Sequence, residues 1–219
     1  VIVAASLWAV DGIVLRPSLY SLPVPLVVFV ESTIVTVLLT PFFIKKFSAL
    51  KNLQKKDWLA FFGVALLGGA VGTMAITKAL FYVNFVNLSV VILLQKLQPV
   101  FAISLATMFL KEKLPKEFFI WTVFALIGAY FMTFGLSAPN ISTGDKTTVA
   151  ALFALLAAFS FSSSTVLSKR ALRNVDYAMG TYLRFLFASM IMLIISTTTS
   201  DISSINNITT KQIIIFLII

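Results

Sequence analysis

The chain has 219 residues, 59% of them hydrophobic and only 11% charged, and it contains neither cysteine nor histidine. Soluble domains carry about a quarter charged residues, so a water-soluble fold of this length has too few charges to cover its surface, and lipid is the expected solvent. Missing Cys and His exclude thiolate and imidazole metal sites, cysteine nucleophiles and Ser-His-Asp triads; no metal and no cofactor are expected.

A bilayer core of about 30 Å takes about 20 apolar residues per helix. In chain order, apolar runs predict helices near 1–15, 24–44, 58–80, 84–110, 117–136, 147–168 and 177–198, with an eighth beginning near 212. Residues 1–15 read as a transmembrane helix rather than a signal-peptide core, because no charged leader precedes them and Asp11 interrupts the run. The chain opens on Val1 without Met and closes inside the apolar run Ile213 to Ile219, so both ends are expected to be cut. Pro17, Pro23 and Pro25 break the first loop, and Ser137-Ala138-Pro139-Asn140 ends the fifth helix. Run length and continuity select helices over strands. The expected fold class is an all-α polytopic membrane helix bundle.

The formal net charge of +9 does not indicate nucleic acid, because the basic residues fall in a few short loops. Lys45, Lys46, Lys51, Lys55 and Lys56 lie between helices 2 and 3; Lys111, Lys113 and Lys116 between 4 and 5; Lys169, Arg170 and Arg173 between 6 and 7. The opposite loops hold only Arg16, Lys146 and Lys211. The positive-inside rule then places the N-terminus in the cytoplasm.

Segments near Ser6 and near Ser160 share a layout at an offset close to 153 residues: an apolar helix, a basic residue (Arg16, Lys169), a short loop and another apolar helix. Five helices separate the two units, so equivalent loops face opposite sides. That is an inverted repeat, a common construction of secondary transporters.

Helix 4 and its exit read Leu94-Gln95-Lys96-Leu97-Gln98-Pro99-Val100-Phe101-Ala102 and Phe109-Leu110-Lys111-Glu112-Lys113-Leu114. With the Trp8 helix, Ala79-Leu80-Phe81-Tyr82 and the five-helix spacing, this order resembles the EamA family of the drug/metabolite transporter superfamily. The resemblance covers residues 1–219, as a first repeat over 1–136 and a C-terminally truncated second repeat over 147–219. It implies a ten-helix permease of two inverted five-helix repeats, moving metabolites, amino acids or drugs without ATP. Asp11 and Glu31 lie in the first two helices, where the family offers no fixed pattern, and the resemblance does not carry the substrate over.

Ionisable side chains at mid-bilayer are functional candidates by default. Asp11, Glu31, Lys78, Lys96 and Arg184 qualify; Lys78 and Asp11 lie near span ends, where snorkelling suffices. Glu31 and Arg184 each lie roughly 10 Å inside a span at 1.5 Å per residue, so they are expected either to reach a central cavity or to form an ion pair between the repeats. Lys96 sits mid-span beside a stripe of Asn84, Asn87, Val91, Gln95 and Gln98 on one helix face, read as a cavity lining, with interhelical hydrogen bonding as the alternative. Pro99 frees a carbonyl one turn back and is expected to kink the helix. Ser160, Ser164 and Ser168 on helix 6 and Gly68-x-x-x-Gly72 on helix 3 read as close-packing surfaces, with substrate contact a lesser role for Ser164. Trp8 and Tyr182 are candidates for the pathway lining as well as for interfacial packing.

The sequence therefore predicts a small-molecule transporter rather than an enzyme, working by alternating access in a bacterial cytoplasmic membrane, in contact with lipid and not nucleic acid. The substrate-binding candidates are Lys96, Gln95, Gln98, Arg184, Glu31, Ser164, Tyr182 and Trp8, for solutes such as amino acids or organic anions; Glu31 and Asp11 are the proton-coupling candidates. The alternative reading is a non-transporting scaffold, with a packed bundle and no polar cavity.

Overall fold

A computed structural model describes residues 3, 6–7, 10–44, 47, 50–51, 53–83, 88–110, 115–134, 136, 144–172 and 175–218. All regular structure among them is helical. Residues Val3, Ser6, Leu7 and Val10 are helical and run into a π-helical turn, Asp11–Leu15, and a 3-10 turn, Arg16–Leu19. Then come α1 (Val24–Phe43), α2 (Lys55–Val64), a π-helical stretch (Ala65–Val71), α3 (Gly72–Val83), α4 (Leu88–Gln95), α5 (Gln98–Leu110), α6 (Lys116–Phe134), α7 (Gly144–Ala171), α8 (Tyr177–Thr198) and α9 (Thr210–Ile218).

Among the described residues, five helical runs are long and apolar enough to cross a bilayer: Val24–Phe43, Lys55–Tyr82, Val90–Phe109, Thr148–Ala171 and Tyr177–Thr198. The protein is an integral membrane helix bundle. Helix α6 adds 19 residues, about 28 Å at 1.5 Å per residue, and exposes Phe119, Trp121, Phe124 and Ile127, an apolar surface suited to lipid.

Local chemistry sets the helix starts. Pro25 occupies the first turn of α1, where its missing N–H is not needed. The Gln54 N–H donates to Asp57 Oδ2 at 3.0 Å in a capping box, so the third span begins at Lys55, three residues before its expected start. The Asp176 carboxylate accepts from the Met179 N–H at 2.6 Å and caps α8. The run expected over 84–110 divides into α4 and α5 at Lys96–Leu97. Pro99 clashes with the carbonyl four residues back, which places the break there. The breaker run 137–140 lies outside the described residues.

Helix α7 is the centre of the packing: α2, α3, α4 and α5 all lie against it, while α1 lies along α8. Its Ala150, Ala154, Ala157 and Ala158 are fully buried, and small side chains let neighbouring backbones approach where lipid supplies no hydrophobic drive between helices. Val28, Ala65, Ala70, Ala188 and Met192 form a second core joining α1, the π-helical stretch and α8. Leu19, Val27, Ile215 and Phe216 close a third, where α9 meets α1 and the 3-10 turn.

Candidate functional site

Two polar clusters interrupt this apolar packing. The first gathers on Arg16, which the loop count assigns to the first outside loop. The structure shows that this connection is packed inward: the π-helical and 3-10 turns carry the chain back against the bundle, and Arg16 is 9% exposed. Arg16 Nη2 stands 2.7 Å from Asp11 Oδ2, and Nε donates to the same oxygen at 3.3 Å. Arg16 Nη1 lies 3.3 Å from Glu31 Oε1 on α1 and donates at 3.3 Å to Oγ1 of the fully buried Thr77 on α3. One guanidinium thus ties three segments of the chain.

The charge in this cluster does not balance. Two carboxylates share one guanidinium, which leaves a formal −1 when both are ionised. Asp11 Oδ1 and Glu31 Oε1 are both buried and accept no hydrogen bond among the described residues; the Glu31–Arg16 contact is a charge contact without hydrogen-bond alignment. Open acceptors of this kind are costly in an apolar medium.

The second cluster surrounds Arg184 on α8. Its Nη2 donates to the Gly68 carbonyl at 3.3 Å, and its guanidinium lies 5.8 Å from the Phe185 ring centre. Among the described residues no carboxylate lies within ion-pair distance of Arg184, and its buried Nε has no partner. The expected alternative of a Glu31–Arg184 pair is therefore not formed; Glu31 faces Arg16 instead. Gly68 belongs to the π-helical stretch, and its carbonyl also accepts from Thr73 Oγ1 at 3.0 Å. Ser164 on α7 donates to the Val64 carbonyl at 3.0 Å. A Cβ on Gly68 would overlap Ser164 Oγ and lie 2.8 Å from Ser164 Cβ, while meeting Arg184 Nη2 at an ordinary contact distance of 3.5 Å, so glycine is what allows α7 this close.

The remaining candidates separate. Gln95 is buried and its amide donates to the Ala154 carbonyl on α7 at 2.7 Å, while the Gln98 amide donates to Gln95 Oε1. Ser162 donates to the Gln98 carbonyl at 2.8 Å. These are interhelical ties. Lys96, at the break between α4 and α5, is exposed. Tyr182 is buried on another face of α8, its hydroxyl 3.1 Å from Thr40 Oγ1 and its ring stacked at 5.3 Å on Phe43. Lys78 is exposed, with Nζ 5.1 Å from the Phe153 ring centre. Trp8, Asn84 and Asn87 lie outside the described residues.

Sequence reasoning missed Arg16, Thr77 and Gly68 as partners in these clusters. The signal for Arg16 was present: an acid and a base five residues apart with Pro17 next, where a helix tightens into turns. Thr77 carried none. Both clusters anchor on the same helical run, since Gly68 and Thr77 are nine residues apart, roughly 13 Å along the axis. Among the described residues no group of three acidic side chains is placed to hold a metal.

The sequence profile of the EamA-like transporter family matches residues 1–134 and 148–219. Riboflavin transporter ImpX of Fusobacterium nucleatum is 48% identical over 201 residues, covering 91% of this chain and 67% of that relative. An uncharacterized transporter of Synechocystis is 27% identical over 150 residues, 65% of this chain and 40% of that protein. No solved structure matches significantly.

Proposed function

The chain belongs to the EamA-like transporter family, and from that premise we propose that it forms the larger part of a secondary carrier that moves a small metabolite across the membrane by alternating access. Riboflavin is the first candidate solute, because the relative named for riboflavin transport is 48% identical over 91% of the chain. On this reading residues 1–136 are a first repeat of five helices and residues 147–219 an inverted, C-terminally truncated second repeat, and the two rock about a central site; the separate matches over 1–134 and 148–219 support that division. The lysine-rich loops on one side support an N-terminus on the cytoplasmic face, and the bacterial relatives support a bacterial cytoplasmic membrane.

The observation that carries the mechanism is the ion cluster buried within the helix bundle, Arg16 between Asp11 and Glu31. A charged knot of this kind is costly in lipid and marks ion or proton pathways in transporters. A proton taken by Glu31 or Asp11 neutralises the uncompensated charge and frees Arg16 from one of its carboxylates. Because Arg16 also holds Thr77, that change loosens the tie between the first helix, α1 and α3, which is a movement alternating access requires.

Expression of the full-length protein in a bacterium unable to make riboflavin tests the reading. Growth at low external riboflavin is expected, and it should be lost in Arg16→Gln. Growth no better than the empty vector, from protein confirmed in the membrane, removes riboflavin as the solute.

A further inference from the structure

Arg184 is a half-buried cation with no carboxylate in ion-pair distance among the described residues. Removing a guanidinium from water is costly unless carboxylates or hydrogen bonds compensate, and Arg16 shows the compensated case with two carboxylates. For Arg184 the described residues offer one carbonyl, that of Gly68, at 3.3 Å. Of the five donors in the planar guanidinium fork, the Nε–H is sealed from solvent and points at no acceptor.

Its surroundings are selective. The Gly68 carbonyl already receives Thr73 Oγ1 and Arg184 Nη2, so it offers little to a solute donor. The absent side chain of Gly68 lets Ser164 pack directly onto the turn beside Nη2, where a Cβ would collide with it. Phe185 lies under the guanidinium, Ala188 packs against Gly69, and Phe161 against Gly72. A local excess of donors, a cation and apolar or aromatic walls suits a flat solute whose acceptors lie on one edge. It suits a multiply charged anion poorly, since one guanidinium supplies the whole charge. π-Helical turns frequently coincide with functional sites, and this one sets the Gly68 carbonyl against Arg184.

We propose that Arg184, with the π-helical turn at Gly68 and Ser164, is a solute subsite in which the guanidinium donates to a carbonyl oxygen of the flavin pyrimidinedione edge; this rests on the riboflavin reading above. The isoalloxazine ring fits the description: planar, aromatic, uncharged at neutral pH, with its carbonyl oxygens on one ring. Engaging that edge gives the Arg184 guanidinium an acceptor that the described residues do not supply.

The test is riboflavin binding to the full-length protein in detergent, followed by flavin fluorescence and by the near-ultraviolet flavin absorption band, which responds to hydrogen bonding at the ring carbonyls. Arg184→Gln is expected to weaken binding about tenfold or more, equivalent to about 1.4 kcal/mol, and to return the band towards that of free flavin. Arg184→Lys, which keeps the charge and loses the fork, is expected to retain part of the affinity without the wild-type band. Should Arg184→Gln fail to fold, a wild-type band in Arg184→Lys overturns the subsite. Wild-type affinity and spectrum in Arg184→Gln overturn it likewise, with the riboflavin reading intact. A wild-type protein that binds no flavin removes the reading and the subsite together.

Discussion

Arg16 Nη2 stands 2.7 Å from Oδ2 of Asp11, five residues earlier in the chain. That spacing is made by the π-helical turn Asp11–Leu15 followed at once by the 3-10 turn Arg16–Leu19, which places both side chains on the same side of the segment. The pair then presents Nη1 to Glu31 and Thr77, each at 3.3 Å. Removing Arg16 leaves two carboxylates buried against each other. Breaking a buried ion pair from one side costs about 3–5 kcal/mol, so Arg16→Gln is expected to lower the thermal unfolding midpoint in detergent markedly. The double variant Arg16→Gln, Asp11→Asn should recover part of the loss; no recovery would mean that the charges do not interact.

Glu31→Gln removes the excess negative charge while keeping the shape of the side chain. Solute exchange at equal pH on both sides is expected to persist, and acceleration by an imposed pH gradient to disappear. A variant that still responds to the gradient like wild type excludes Glu31 as the coupling group.

Gly68→Ala inserts a methyl against Ser164 and close to Arg184 Nη2. Overpacking of this kind costs about 1–3 kcal/mol, and Ser164→Ala in the same chain should relieve part of it, because the two sites touch and their effects are not additive. Unfolding of the four proteins of the cycle measures the coupling, and additive effects would contradict the close approach of α7 to the π-helical stretch.

The absence of cysteine makes the orientation directly testable. In right-side-out vesicles an impermeant maleimide should label Ser203→Cys and leave Lys56→Cys unlabelled until the membrane is permeabilised. The reverse pattern would overturn the N-in topology.

Most of the fold was legible because membrane spans are written in composition. The runs expected over 24–44 and 177–198 appear as Val24–Phe43 and Tyr177–Thr198, since a bilayer sets their length. The break at Lys96–Leu97 was legible from Pro99. Less of the site could be read, because which side chains meet depends on how helices face one another. Glu31 and Arg184 are ionisable and mid-span, so the sequence singled them out, yet their partners came from elsewhere: Arg16 from what reads as a loop, Gly68 from a π-helical turn without sequence signature. Gln95 was read with Lys96 as a cavity lining, and its amide is taken up by the Ala154 carbonyl, a contact that nothing in either local sequence specifies. The serines of helix 6 were read as packing residues, and Ser162 and Ser164 each donate to a carbonyl of a neighbouring helical segment.

The most direct measurement is counterflow of labelled riboflavin into proteoliposomes holding the purified full-length protein and loaded with unlabelled riboflavin. The account predicts transient accumulation of label above equilibrium in wild type, greatly reduced in Arg16→Gln and in Arg184→Gln. Label that only equilibrates passively, at the same rate as in protein-free liposomes, from folded and correctly inserted protein, would contradict the claim that this protein carries a flavin.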